Sequence, residues 1–168
     1  AAALAPYSVK DCRIENLADN DIFCLAESSG LGAPYFRQDW GVYFSQSISA
    51  LTTQQITVLM LEAIIFRIAR ILEDFHHCSP LTQVYLSGGL SELPCLQQGI
   101  AQCVPFPVFH LQQKEASLQG AALLASGLKI NCRQQANKIA INCGNNALSE
   151  KFQHWKNWLD GLLAMHKN

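Results

Sequence analysis

Thr82-Gln83-Val84-Tyr85-Leu86-Ser87-Gly88-Gly89-Leu90-Ser91 decides the fold. Its opening residues read as a strand, the two glycines as a tight turn, and Ser91 as the cap of a helix continuing through Leu93, Leu96 and Ile100. Upstream, Thr52 and Gln55 stand at capping-box spacing and open a helix that reaches about His76 without glycine or proline. Leu61, Ile64, Ile65, Ile68, Leu72 and Phe75 recur at helical spacing, which predicts a broad apolar face packed on a sheet. Arg67, Arg70 and Asp74 cluster on another side, and Glu62, Glu73 and Asp74 are expected to be solvated. His76 and His77 fall where the helix dipole and unpaired carbonyls favour cations or donors, before Pro80.

Working outward, residues 21–26 and 41–44 read as short strands, the first closed by Ser28-Ser29-Gly30. Phe106-Pro107-Val108-Phe109 reads as a further strand whose proline favours an edge. A helix is expected from Glu115 to Ser126, its Gly120, Ala121, Ala122 and Ala125 forming a small face for close packing, with Gly127 as its stop. The Asn- and Gln-rich stretch 131–146 reads as a loop, and 147–165 as an amphipathic helix carrying Leu148, Phe152, Trp155, Leu159 and Leu162. Trp155 and Trp158 are read as packing residues. Residues 1–20 lack a sustained period and suggest a loosely attached lead-in to one domain over 21–168. Strands alternating with helices predict an α/β layer with a sheet that is at least partly parallel.

Composition supports a folded domain. The 168 residues are 49% hydrophobic and 15% charged, too apolar and too weakly charged for a disordered chain. Twelve Lys and Arg against 13 Asp and Glu leave a net charge of -1, so no electrostatic footprint for nucleic acid or an anionic membrane exists. Glu62, Arg67 and Arg70 interrupt the best apolar run, and the opening Ala1-Ala2-Ala3-Leu4-Ala5-Pro6 carries no cation of a secretory leader. The expected location is the cytoplasm. Seven cysteines without a CxxC pair or zinc-ligand spacing read as reduced, mostly buried thiols.

The residues leave their chemistry open. Ser87-Gly88-Gly89 is either a place where a ligand approaches the backbone or an ordinary turn. Glu92, in the following helical turn, would oppose a phosphate there, which leaves the base or ribose of a nucleotide as the part the turn could meet. Gly30-Leu31-Gly32-Ala33-Pro34-Tyr35 lacks the lysine of a phosphate loop and reads as a structural bend. His76 and His77, adjacent on a helix, do not share a face, so no metal ligand is assigned. No cysteine stands beside an evident base, so none is assigned as a nucleophile.

The order of the motifs adds more. Ser29-Gly30-Leu31-Gly32-Ala33-Pro34-Tyr35-Phe36, the helix with Leu61-Glu62-Ala63-Ile64, the Ser87-Gly88-Gly89 turn and Glu115-Ala116-Ser117-Leu118-Gln119-Gly120-Ala121-Ala122 together resemble the FGGY carbohydrate kinase family. The SGLGAPY stretch looks most like the glycerol kinases. The resemblance implies the later part of the C-terminal domain of a two-domain, actin-like and ribonuclease-H-like kinase that closes around ATP, Mg2+ and a sugar or polyol. It assigns Ser87, Gly88, Gly89 and Leu93 to the nucleotide, no catalytic residue and no metal ligand to this chain, and the base aspartate to an N-terminal domain outside it. This chain alone is then expected to be inactive and to self-associate or dock through an exposed apolar surface. The sequence departs from the family pattern at three places: Ser87 replaces an aspartate, Leu93 a nucleotide-contacting asparagine, and Asp39-Trp40-Gly41 disturbs the usual arginine-glycine. These departures also fit an alternative, a degenerate, non-catalytic kinase-like binding or regulatory module.

Overall fold

The computed structural model describes residues 9–112, 115–127, 135–141 and 146–165. Antiparallel strands β1 (Cys24–Ala26) and β2 (Val42–Phe44) lead to the long helix α1 (Thr53–Cys78). Strand β3 (Val84–Leu86), a short 3-10 turn Gly89–Glu92, helix α2 (Pro94–Cys103) and strand β4 (Val108–Leu111) follow. Helix α3 (Ala116–Ser126), strand β5 (Ala136–Lys138) and helix α4 (Ala147–Met165) complete the order. The second sheet runs β3-β4-β5, with β3 and β4 parallel and β5 antiparallel to β4. The expected α/β layer with a partly parallel sheet is present.

Helix α1 starts where its capping box lies. Thr52 Oγ1 accepts from the Gln55 N–H at 3.3 Å, and Gln55 Oε1 accepts from the Thr52 N–H at 3.0 Å. From there Ile65, Phe66 and Ala69 turn into the core with Ile100 of α2 and Phe152, Trp155 and Leu159 of α4, while Leu59 and Ala63 pack with Cys24 of β1. The Phe66 ring lies 5.4 Å from Phe152 and 5.7 Å from Trp155, and the Trp155 indole N–H donates to the Cys24 carbonyl at 2.8 Å. The first and last helices and the first strand are thus tied at one point. Gly99 explains how α2 approaches α1 so closely: a Cβ there would stand 2.6 Å from Ile65 Cδ1.

Several expectations are corrected. Glu62 is not solvated but 2% exposed, its Oε2 accepting from Lys151 Nζ of α4 at 2.6 Å and its Oε1 from the Ala18 N–H at 2.6 Å. Burial raises its pKa, while Lys151 and the Ala18 N–H pull it back. Glu73 and Asp74 are also paired, with Lys156 at 2.8 Å and with Arg70 at 3.3 Å. Phe75, expected on the packed face, is 60% exposed, whereas Arg67 is buried. The stretch 9–20 is packed rather than loose, because Cys12 and Leu17 enter the core and Ala18 reaches Glu62.

Ser91 does not cap α2. It sits buried in the 3-10 turn, its hydroxyl donating to the Gly88 carbonyl at 2.7 Å, and α2 begins three residues later, with Leu93 before Pro94 and no side-chain cap. Proline at the first helical position needs no N–H partner, which sets the start there. Pro107 precedes β4 instead of marking an edge, and β4 is the central strand of its sheet. Within the expected loop 131–146, residues 136–138 form β5, with Phe109 opposite Lys138; residues 131–134 and 142–145 lie outside the described residues. Helix α3 ends at Gly127 in the left-handed region, φ 64, as its stop requires. Its small face, by contrast, is not tightly packed: Ala121, Ala122 and Ala125 are exposed, and Leu118 and Leu124 are 67% and 80% exposed.

Candidate functional site

Two glycine turns were legible in the sequence, and the structure gives them different roles. The first follows β1. Leu31 and Arg37 pair across it, each N–H donating to the other's carbonyl at 2.8 and 2.9 Å, and the Tyr35 and Phe36 N–H groups both donate to the Gly32 carbonyl at 3.1 Å. Gly30 adopts φ +91, and a Cβ there would lie 2.8 Å from the Arg37 carbonyl oxygen. Only glycine fits, so this position is dictated by the turn itself. Beneath it, Arg67 of α1 donates to Glu27 Oε1 at 3.0 Å and to the Ala33 carbonyl, with its guanidinium 5.2 Å from the centre of the Tyr35 ring. The bend expected from the sequence is therefore a clamped hairpin, fastened by a buried arginine that the sequence placed among solvated charges.

The second turn is Ser87-Gly88-Gly89, directly after β3. Gly88 has φ +97 and accepts at its carbonyl from the Ser91 N–H at 3.0 Å. Here a Cβ on Gly88 or Gly89 would meet nothing within 4 Å among the described residues. The backbone of this turn is open on the side where a side chain would stand, in contrast to Gly30. The turn also lies at the carboxyl end of a parallel pair, because Leu86 stands opposite His110 near the end of β4. Crevices beyond the carboxyl ends of parallel strands are where α/β sheets bind ligands.

A carboxylate and an imidazole line the same end. Glu92 Oε1 lies 3.5 Å from His110 Nε2, and that nitrogen is buried without a hydrogen-bond partner among the described residues. Leu90, two residues before Glu92, projects 57% exposed. Of the four residues assigned to the nucleotide, Ser87, Gly88 and Gly89 are brought together in the turn. Leu93 is not in it: its N–H donates to Leu90, it precedes α2, and its side chain packs partly buried against the core. Glu92 and His110 were not assigned. Glu92 was visible in sequence, but His110 required the parallel register of β3 and β4.

Among the described residues no three His, Cys, Asp or Glu side chains gather as a metal-holding group. His76 takes a role unlike the one expected at a helix end, for its Nδ1 accepts from the Leu81 N–H at 2.9 Å and its ring lies tilted 5.4 Å from that of Phe106. Cys24, Cys12, Cys95 and Cys103 are buried thiols and Cys78 an exposed one; Cys132 and Cys143 lie outside the described residues. Burial pushes the Cys24 thiol up to about 12, with Glu62 adding to the effect, and raises Cys95 and Cys103 further, so these are not thiolate nucleophiles. None of the described helices is long and apolar enough to cross a membrane.

Comparison with known proteins gives a consistent result. Residues 2–127 match the C-terminal domain of the FGGY family of carbohydrate kinases. A glycerol kinase of Nostoc sp. is 29% identical over 117 residues, covering 68% of this chain and 23% of that protein. A glycerol kinase of Trichodesmium erythraeum is 28% identical over 150 residues, covering 85% and 29%. In structure, the chain is similar to a xyloylose kinase from Brucella ovis, with TM-score 0.72, 21% identity, and 88% and 34% of the two chains covered. It is also similar to a Plasmodium falciparum glycerol kinase solved with ADP, with TM-score 0.65, 14% identity, and 95% and 33% covered. This chain thus covers 23% to 34% of the length of these proteins.

Proposed function

This chain belongs to the FGGY family of carbohydrate kinases, whose C-terminal domain it matches, and we propose on that premise that the complete protein is an ATP-dependent kinase of a polyol or sugar. Glycerol is the first acceptor to try, because the curated relatives are glycerol kinases. The observation that carries the reading is the Ser87-Gly88-Gly89 turn, open to solvent at the carboxyl end of parallel strands in a chain with the family's ordered motifs.

In this reading ATP supplies the phosphoryl group, and this domain holds the nucleoside end of it. Gly88 and Gly89 fit that task, since no side chain keeps a planar base or a ribose away from the backbone. Glu92 repels phosphate at the same place, so the phosphates point away from the turn toward the other domain. Mg2+ is then carried with the phosphates by groups outside this chain, and the general base belongs to the N-terminal domain. Phosphoryl transfer rests on positioning donor, metal and acceptor together, so this half of the cleft alone gives no turnover and at most millimolar ATP affinity.

A second reading is supported by Leu93, which presents an aliphatic side chain to the core where family members offer an amide. It makes the protein a kinase-like binding or regulatory module without catalysis. The complete protein, assayed for ADP release over a panel of polyols and sugars, separates the two. Acceptor-dependent ADP release supports the kinase; no release with any acceptor, together with no ATP binding by calorimetry, leaves the module.

A further inference from the structure

Besides its apolar packing, two contacts of different chemistry help to fasten the lead-in to β1 to the domain. One is the hydrogen bond from the Ala18 N–H to Glu62. The other joins two sulfurs that are 83 residues apart in sequence: Cys12 Sγ, just after the short turn Val9–Asp11, lies 3.0 Å from Cys95 Sγ at the start of α2, inside the core. Cys12 is 7% and Cys95 2% exposed, and both are thiols. A separation of 3.0 Å is too short for two thiolates on one zinc ion, whose roughly 2.3 Å bonds in tetrahedral geometry hold sulfurs about 3.8 Å apart. It needs only about 1 Å of closure to reach a sulfur–sulfur bond.

We propose that Cys12 and Cys95 are an oxidisable pair, and that a hydroperoxide or a small disulfide converts them to an intramolecular disulfide that locks the lead-in onto α2. With hydrogen peroxide the balance is simple. One thiol loses its proton, and its sulfur attacks the peroxide to give a sulfenic acid and one water. The second sulfur displaces hydroxide from the first, the S–S bond forms, and the second water leaves. Two electrons and two protons pass from the thiols to the oxidant. Burial sets the pace: it raises the Cys95 pKa, first by desolvation and then through its hydrogen bond to Cys12, so the closed state ionises reluctantly. Oxidation therefore waits on local opening of residues 9–17, a stretch outside the longer helices and strands whose release exposes both thiols. Once formed, the bond closes a long loop, and the unfolded chain loses the most freedom in such a case.

The test begins with the unmodified protein, so it does not depend on a variant folding. Reduced protein is treated with hydrogen peroxide and, separately, with oxidised glutathione, alkylated after denaturation, and mapped by peptide mass spectrometry without reduction. The expected result is a linkage of the Asp11–Arg13 peptide to Cys95, placed at Cys95 and not at Cys78 or Cys103 by fragmentation, in a monomer two hydrogen atoms lighter. Its melting temperature should rise on the order of 10 °C and fall back with a reductant. Cys78→Ser should leave the linkage and the rise unchanged, while Cys12→Ser and Cys12→Ala should abolish both. Full alkylation of Cys12 and Cys95 after oxidant treatment would overturn the proposal, as would a bridge from Cys12 to any other cysteine or between chains.

Discussion

The α1, α2 and α4 side of the molecule and the β3, β4, α3 side are built to different standards. On the first, Phe66, Phe152 and Trp155 stack with no exposure above 1%, and even the charged members, Glu62 and Lys151, are buried as a pair. On the second, Tyr85 and Phe109 stack 5.3 Å apart with Tyr85 half exposed, and Leu118 and Leu124 of α3 face solvent. Hydrophobic side chains are common in both regions, so hydrophobicity does not distinguish them. What differs is whether another layer exists to cover them. The helical side carries most of the close packing, and the sheet side keeps an open turn and, among the described residues, an exposed apolar surface.

Breaking the well-covered side should therefore cost most. Trp155→Ala removes a fully buried ring and the donor to the Cys24 carbonyl, and should lower stability by about 3–5 kcal/mol, read from denaturant midpoints. Lys151→Ala leaves the Glu62 carboxylate buried against Ala18 alone and should cost about 3 kcal/mol, more than Lys151→Met combined with Glu62→Gln. The pair also predicts a pH dependence. The native Glu62 carboxyl keeps its proton to higher pH than the unfolded one, whose value is near 4.5. Its contribution is thus greatest below that value and declines as pH rises through the raised native pKa. The melting temperature of the unmodified protein relative to Glu62→Gln should fall over that interval; a relative rise would reverse the sign assigned to burial.

The same contrast extends to the two glycine turns. Gly30→Ala forces a Cβ against the Arg37 carbonyl at positive φ and should cost more than about 1 kcal/mol, whereas Gly89→Ala, with open space around it, should change stability by less than about 0.5 kcal/mol. The smallest effect belongs to α3. Leu124→Ser, at 80% exposure, should leave the melting temperature within about 1 °C while reducing self-association in sedimentation. A large loss of stability there would mean that the α3 face is covered after all.

How far the sequence could be read follows the same division. Helix α1 was legible because its capping box and apolar period are local, and Gly127 because a left-handed stop needs no partner. Glu62 was misread because nothing near it in sequence announces a partner 89 residues away. Arg67 was misread for a related reason, since its Glu27 lies across the first glycine turn. Strand β5 was hidden in an Asn- and Gln-rich stretch because its place comes from pairing with β4 rather than from its own propensity. At the candidate site, Ser87, Gly88 and Gly89 could be found from a local pattern. His110 could not, because only the register of β3 with β4 places it beside Glu92.

The most direct measurement is the ATP KM of the complete protein with Gly89→Val beside the unmodified form, together with both melting temperatures. A side chain built into open space should leave the melting temperature within about 2 °C, yet stand between the backbone and an approaching nucleoside. The expected result is a rise of about tenfold or more in the ATP KM, corresponding to about 1.4 kcal/mol of lost nucleotide binding. An unchanged ATP KM with an unchanged melting temperature would contradict the assignment and leave Ser87-Gly88-Gly89 as a turn and nothing more.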